Sequence, residues 1–199
     1  MTIDRNSTRV ITEPVRLSYV HLLEPWSNDP TKKAKYSTVL LIPKDDKLTI
    51  GKMAAAKKAA KEAGIARFGA SWGKKDLRNT IHDGDEEGDL DSNPEYAGNL
   101  YLTVSSDTRP SVIDRNGNLI TDPDDIYSGA WARVSINAYP YSNSGNVGIT
   151  FGLNNVMKWR DGDFLGGRSS AESDFADFLG TESEDEEEPS GGDMTGLLG

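Results

Sequence analysis

The chain contains no cysteine and only two histidines, His21 and His82, among its 199 residues. Without thiols there can be neither a disulfide framework nor a thiolate metal site, and two histidines cannot build a histidine-rich metal centre. We therefore expect no bound metal and no cofactor. No run approaches the ~20 consecutive apolar residues of a membrane-spanning helix, and the opening MTIDRNSTRV is too polar for a secretory signal. These absences predict a soluble, cytoplasmic protein that does not enter a membrane.

Basic side chains are also absent from residues 169–199, a segment that holds ten acidic ones. The whole chain has 32 acids and 22 bases, so residues 1–168 carry 22 of each and are neutral. The net charge of the whole chain therefore combines a neutral segment with a strongly acidic one, and the charge of each segment must be considered separately. We predict one folded domain over residues 1–168 and a disordered acidic tail over residues 169–199, because the tail has too little apolar surface to offset its ordering entropy.

The acidic tail nevertheless contains the apolar residues Phe175, Phe178 and Leu179. Apolar anchors in an acidic segment can dock on a partner that has a basic-rimmed hydrophobic pocket, and the segment folds as it binds. We expect these three residues to bind a protein partner. A tail that serves only solubility is the alternative.

Runs rich in β-branched and aromatic residues predict seven strands. They cover residues 12–23, 35–43, 77–81, 96–105, 111–121, 130–141 and 147–157. One alanine-rich helix is predicted between the second and third strands, capped by Asp45 or Asp46 and ended at Gly64. Short antiparallel strands with one inserted helix are typical of a small β-barrel, so the fold class is mainly β.

Turn residues refine this barrel. Asn116-Gly117 predicts a tight hairpin with a type I′ turn, and residues 142–146 predict a second, longer hairpin. Gly148 and Gly152 are expected where barrel strands bend strongly.

Alternation along residues 130–141 separates a face of small apolar side chains from an aromatic and polar face. The second face carries Trp131, Arg133, Tyr139 and Tyr141, and we predict that it lies outside the barrel. Exposed rings beside a guanidinium are what unpaired bases require, because every base has a π face and phosphates need cations. Tyr101 alternates with Leu100 and Leu102 and is expected to join this surface. A second small core or a dimer interface is the alternative for Trp131 and Tyr139.

Lysines supply candidate phosphate contacts in two places. Lys32, Lys33 and Lys35 lie at the start of the second strand, and Lys74 and Lys75 follow Trp72 in the loop GASWGKKD. Interleaved bases and aromatics are typical of nucleic-acid contacts. A single lysine that simply faces water is the plain alternative, so the prediction depends on the cluster.

Catalytic signatures are missing from the sequence. Neither histidine has a nucleophile motif beside it, and no phosphate-binding glycine loop is present, so we do not expect an enzyme. Residues 83–91, DGDEEGDLD, hold six acids but lack the spacing of an EF-hand calcium loop. We predict a solvated acidic loop. A divalent-ion site, or a two-metal nuclease using Asp83, Asp85 and Glu86, is the alternative.

Several longer segments of the chain are distinctive: VRLSYVHLLEP, KYSTVLLIPK, HDGDEE, EYAGNLYLTVSS, PSVIDRNGNLI and YSGAWARVSINAYPYSNSGNVGITFGLNNVMKWRDGDFLGGRSSAESDF. Together they resemble a family of phage and prophage single-stranded DNA-binding proteins. They span about residues 9–178, and YSG, GLNN and DG-LGGR are the most specific.

The resemblance implies an OB-fold barrel that coats single-stranded DNA without sequence specificity during phage replication or recombination, in the cytoplasm of the host cell. It also implies an acidic C-terminal tail. From the ten negative charges of residues 169–199 we expect this tail to compete with DNA and so to modulate DNA binding. Through its apolar residues we expect it to recruit replication or recombination proteins. The resemblance does not assign the stacking residues or the oligomeric state. A replication or recombination protein-interaction module that touches DNA only incidentally remains the alternative.

Overall fold

The structure, a computed structural model, describes residues 5–166. Its strands are β1 (Arg9–Ile11), β2 (Val15–Trp26), β3 (Lys35–Pro43), β4 (His82–Asp83), β5 (Asn99–Ser106), β6 (Ser111–Ile113), β7 (Trp131–Asn143) and β8 (Asn146–Arg160). Its α-helices are α1 (Arg5–Thr8), α2 (Lys47–Phe68), α3 (Ala70–Gly73) and α4 (Gly84–Glu87), with 3₁₀ turns at Pro94–Tyr96 and Pro123–Asp125. The predicted acidic tail, with Phe175, Phe178 and Leu179, lies outside the described residues.

Five strands close into a barrel in the order β2, β3, β5, β8, β7 and back to β2. Neighbouring strands are antiparallel, except that β5 and β8 pair in parallel at Ser105 and Gly152. The short strands β1, β4 and β6 extend the edges of β7, β5 and β8. A five-stranded barrel with this topology is an OB-fold, so the predicted fold class is confirmed.

The barrel core is built from the apolar faces that alternation predicts. Along β7, Ala132, Val134 and Ile136 are fully buried. Alternate residues of β8 are buried as well: Val147, Ile149, Phe151 and Leu153. Successive side chains of a strand point to opposite faces, so Trp131, Arg133 and Tyr139 must then point outward, as predicted.

Helix α2 begins as predicted and ends later. The Asp46 carboxylate accepts a hydrogen bond from the Thr49 backbone N–H at 2.9 Å, which caps the helix. The helix continues through Gly64 to Gly69, whose φ is 92°. Gly64 is instead a packing site, because a Cβ there would lie 2.3 Å from the Trp72 ring. Within residues 5–166, neither α2 nor any shorter helix is long and apolar enough to cross a membrane.

The tight type I′ turn lies in the second predicted hairpin and not in the first. Ser144 (φ 44°) and Gly145 (φ 90°) both have positive φ between the paired residues Asn143 and Asn146, which makes the tight type I′ turn. At the Asn116-Gly117 hairpin, Gly117 has a positive φ but Asn116 does not. Within residues 5–166, the non-glycine residues with positive φ are Tyr19 and Ser144. The type I′ prediction for Asn116-Gly117 is therefore wrong.

The Asp114 carboxylate accounts for that turn. It accepts hydrogen bonds from the backbone N–H groups of Asn116 (2.8 Å) and Asn118 (2.9 Å). These bonds favour a three-residue loop, a type I turn followed by a left-handed glycine.

Candidate nucleic-acid interface

A row of paired residues crosses the outer face of the barrel. It runs from His21 on β2 through Ser37 on β3 and Ser105 on β5 to Gly152 on β8. The last three residues have small side chains or none and are half-buried. Three strand spacings of ~4.8 Å give this row a width of about 14 Å. We call this surface the track, because its low floor lets a flat ligand approach the backbone.

Trp26 stands at the β2 end of the track. Its ring stacks on His21, with centroids 4.8 Å apart and planes 7° apart, yet the residue remains 53% exposed. Burial lowers the pKa of His21, which favours the neutral imidazole beneath the indole. Trp26 therefore presents a flat face whose orientation is already held by a second ring.

Trp26 was not predicted from the sequence. The predicted strand ends at residue 23, before Pro25, whereas β2 continues to Trp26 and pairs there with Lys35. The signal that could have found it is an aromatic residue beside a lysine-rich loop.

Tyr139 and Tyr141 occupy the β7–β8 end of the track. Tyr139 is 43% exposed and lies over Gly152, where a Cβ would come within 3.3 Å of its Cε1 atom. Tyr141 covers Gly148, where a Cβ would come within 2.6 Å of its Oη atom. The two glycines, predicted as strand bends, are thus seats for cross-strand tyrosine rings.

The predicted lysines of the β2–β3 loop flank Trp26. Lys33 and Lys35 both pair with Asp107, at 3.8 and 3.5 Å, and Lys32 pairs with Asp29 at 3.5 Å. All three ammonium groups are largely exposed. Exposed ion pairs of this kind contribute little to stability, so the lysines can exchange a carboxylate for a phosphate.

A second group of cations lies at the tyrosine end. The Trp72 indole N–H donates to the Tyr141 carbonyl oxygen at 3.2 Å, which places the following residues, Lys74 and Lys75, beside that strand. Residues 77–81, predicted as a strand, form instead a single bridge from Arg78 to Gly148. In this described part of the chain, Lys74, Lys75 and Arg78 form no ion pair. Arg78 was not singled out from the sequence, because its place next to Tyr141 depends on that bridge.

Trp72 is buried, in contrast to its predicted exposure to DNA. It is 2% exposed and packs against Phe68 with ring centroids 5.6 Å apart. Its predicted role as a stacking residue is wrong, because its ring fills the space over Gly64 and is inaccessible to a base.

Tyr101 also lies elsewhere than predicted. Its ring stacks on His82 and Tyr96, with centroids 5.1 and 4.6 Å apart. Together with Val39 and Leu41 these rings form a small second core on the outer face of β3 and β5. Burial raises the pKa of Tyr96 to about 12. Tyr101 therefore packs against this second core, which was not predicted for it, and its expected place on the exposed aromatic surface is wrong.

Trp131 and Arg133 lie outside the barrel as predicted, but away from the track. Eight residues separate Trp131 from Tyr139 on β7, which corresponds to about 26 Å at ~3.3 Å per residue. The Arg160 guanidinium lies 4.3 Å above the Trp131 ring. Arg133 donates to a Glu13 carboxylate oxygen at 2.8 Å, and this bond lowers the pKa of Glu13. The structure thus separates two surfaces that alternation alone had merged.

The acidic residues 83–91 are organised by a lysine. The Lys44 ammonium group lies 2.5 Å from Asp83 and 2.6 Å from Asp85 and lowers the pKa of both carboxyls. Within residues 5–166, no group of three or more His, Cys, Asp or Glu side chains is placed to hold a metal ion. A nuclease site would need these two carboxylates to face a divalent ion, whereas here they face an ammonium group.

Replacing Lys44 with methionine should lower stability most at neutral pH. Carboxyls with a depressed pKa contribute stability above their unfolded pKa of ~3.9 and lose it as the pH falls through the folded value. The difference in urea midpoint between wild type and Lys44→Met should therefore shrink as the pH falls from 7 towards 3. Lys58→Met, at an exposed position of α2, is the control and should show no such trend. A difference in urea midpoint that does not change with pH would show that the stabilisation does not come from these carboxylates.

Comparison with known proteins places the chain among phage proteins. The family model described as Enterobacter phage Enc34, ssDNA-binding protein, matches residues 8–188. Putative protein p50 of Acyrthosiphon pisum secondary endosymbiont phage 1 is 35% identical in an alignment of 182 residues that covers 86% of this chain and 94% of that protein.

Solved structures agree with this placement. The single-stranded DNA-binding protein from bacteriophage Enc34 in complex with single-stranded DNA superposes with a TM-score of 0.67 at 27% identity, over 80% of this chain and 90% of that one. The bacteriophage T7 single-stranded DNA-binding protein gp2.5 gives a TM-score of 0.54 at 14% identity, over 81% and 97% of the two chains, and shows the fold alone. The family match and the relative at 35% identity confirm the resemblance: the chain belongs to the phage single-stranded DNA-binding protein family described for Enterobacter phage Enc34.

Proposed function

We propose that the protein binds and coats single-stranded DNA, without sequence specificity, during phage DNA replication or recombination. The observation that carries this proposal is the track, with an exposed ring held in place at each end and a low floor between them. In OB-folds, oligonucleotides bind the face of the second and third barrel strands and the loops beside it. Here those strands are β3 and β5, which carry Ser37 and Ser105. Membership of the Enc34 family supports the same function.

Binding would combine stacking with phosphate contacts. Trp26 and Tyr139 each offer a flat face to a base, and each stacked base contributes roughly 1–3 kcal/mol whatever its identity. The cations around the track would hold the backbone: Lys32, Lys33, Lys35, Lys74, Lys75 and Arg78. A duplex hides its base faces in its own stack, so it cannot use the rings.

Titration of labelled oligo-dT and of a duplex of equal length, followed by fluorescence anisotropy across salt concentrations, tests the proposal. Oligo-dT should bind more tightly, and the logarithm of its association constant should fall linearly with the logarithm of salt. Failure to bind oligo-dT in dilute buffer, even without residues 169–199, would refute the function. Weak DNA binding together with a stable protein complex would favour the protein-interaction module.

We propose that the acidic tail modulates this binding. The ten negative charges of residues 169–199 compete with a second polyanion for the cations of the domain, most strongly when screening is weak. Ending the chain after Arg168 should therefore tighten oligo-dT binding at low salt and change it little at high salt. A full-length variant with Gln and Asn in place of the ten acids should behave like the truncated chain. Equal affinities of intact and truncated chains at low salt would exclude this role.

We also propose that Phe175, Phe178 and Leu179 recruit replication or recombination proteins. In addition, we propose that the protein has no catalytic role. The family is described as a DNA-binding one, and Lys44 neutralises the carboxylates of the nuclease alternative. Cleavage of labelled DNA in the presence of magnesium or manganese would contradict the non-catalytic role.

A further inference from the structure

We propose that single-stranded DNA leaving the track at Tyr139 continues along the β7–β8 ribbon to a second contact site. This site, the guanidinium–indole cluster, consists of Trp131, Trp159, Arg115, Arg133 and Arg160. Its ligand is the phosphate backbone of the same strand. The inference rests on the proposed function and extends it from one barrel face to a path of defined direction and length.

Two indoles and three guanidinium groups form the cluster. Arg115 lies 4.3 Å and Arg133 5.0 Å from the centre of the Trp159 ring, while Arg160 lies 4.3 Å from that of Trp131. A guanidinium held over a ring has lost much of its freedom, yet it keeps N–H groups that can bind a phosphate in bidentate fashion. The stacking therefore prepares these arginines for anion contacts, whereas the indoles are already covered and are not platforms for bases.

The charges of the cluster are unevenly neutralised. Arg133 pairs with Glu13 at 2.8 Å. Arg115 and Arg160 are exposed and, counting partners in residues 5–166, form no ion pair; Arg160 donates only to the backbone oxygen of Asp161. Two positioned and uncompensated cations on one surface attract an anion.

A bulge in β8 builds the cluster. Trp131 pairs with Arg160 and Ala132 pairs with Lys158, so Trp159 is the extra residue between them. Bulges re-aim side chains, and this one puts Trp159 on the outer face between Arg133 and the Asp114–Asn118 turn that carries Arg115. The cation-π distances follow from that placement.

Polar side chains line the way from the track. A second register shift leaves Asn154 unpaired between Leu153 and Asn155. The Asn154 and Asn155 side chains are exposed and make no hydrogen bond within the described range 5–166. Their amides offer donors to a passing strand. Because about 26 Å separate Trp131 from Tyr139 along β7, a short oligonucleotide seated in the track cannot reach the cluster and a long one can.

The test is a length-dependent binding experiment on the full chain carrying Arg115→Gln and Arg160→Gln together. Two oligo-dT probes are used, of about 6 and about 20 nucleotides, the first within and the second beyond the ~4–16 nucleotides covered by one OB-fold. The variant should bind the long probe roughly tenfold more weakly, with a salt slope smaller by about 1–2, as expected for two lost phosphate contacts. Binding of the short probe should not change.

Arg67→Gln is the matched control, because Arg67 is an exposed arginine 5.1 Å from the Phe68 ring at the far end of α2. It should leave the binding of both probes as in wild type. A second variant with lysine at positions 115 and 160 should keep the wild-type salt slope, and a melting curve shows whether each variant is folded.

Four results would overturn the inference. Equal loss for both probes would place the arginines in the track itself. An unchanged affinity for the long probe would leave the cluster without a role in DNA binding, and a loss with an unchanged salt slope and a lower melting temperature would make its role purely structural. Failure of both probes to bind wild-type protein would remove the proposed function as well, whereas the other three results would leave that function standing.

Discussion

Replacing Trp26 with alanine is expected to weaken oligo-dT binding by about tenfold or more while the melting temperature stays nearly unchanged. Trp26 is 53% exposed, and its main ring contact is the stack on His21. Removing the indole therefore removes little from the core. A stacked base contributes ~1–3 kcal/mol, and 1.4 kcal/mol is a factor of ten in affinity. Anisotropy titration and a thermal melt of the same preparation measure both quantities.

The double variant Trp26→Ala with Tyr139→Ala should lose about a hundredfold or more, because the two rings stand at opposite ends of the track and stack separate bases. Leu119→Ala is the control: this side chain is 70% exposed, as a large apolar residue outside the track, and its loss should leave the affinity unchanged. A folded Trp26→Ala protein with wild-type affinity would move the interface to another face of the barrel.

Replacing Trp72 with alanine should have the opposite outcome, a large loss of stability with little effect on DNA affinity. Trp72 is 2% exposed, and its ring fills the space above Gly64. Truncating a buried tryptophan to alanine costs ~3–5 kcal/mol, which lowers the melting temperature of a domain of this size by on the order of 10 °C. Chemical denaturation and oligo-dT titration at a temperature where the variant is folded provide the two measurements.

Trp72→Phe is the informative companion, since it keeps an aromatic ring in the cavity and removes the hydrogen bond to the Tyr141 carbonyl. Its loss of stability should be clearly smaller than that of Trp72→Ala. If Trp72→Ala were as stable as wild type but bound oligo-dT poorly, the Trp72 ring itself would be a DNA contact, as the sequence alone had predicted.

The exposure of Trp26 and the burial of Trp72 could not be predicted from the sequence. Each stands near lysines and a glycine or proline, and local composition favoured Trp72. The exposure of Trp72 is decided by packing: its ring lies over Gly64 of α2, and its indole N–H donates to the carbonyl oxygen of Tyr141, 69 residues away. The exposure of Trp26 is decided by how far β2 continues beyond Pro25.

The placement of Tyr101 and Trp131 depended on tertiary contacts in the same way. Alternation correctly put both outside the barrel sheet, but a side chain outside the sheet is not thereby exposed. Residues 82–98 fold back and enclose Tyr101 beside Tyr96. The length of β7 separates Trp131 from Tyr139, although both point to the same side.

The sequence by itself determined the separation into a neutral domain and an acidic segment, the N-terminal cap of α2 and the inward faces of β7 and β8. These features depend on charge, on hydrogen bonds over three residues and on the two-residue period of a strand, all of which are local. Tertiary structure alone decided which rings remain open to a ligand and which cations surround them. That choice depends on strand register and on packing between distant segments, because a side chain is exposed only where no other part of the chain covers it.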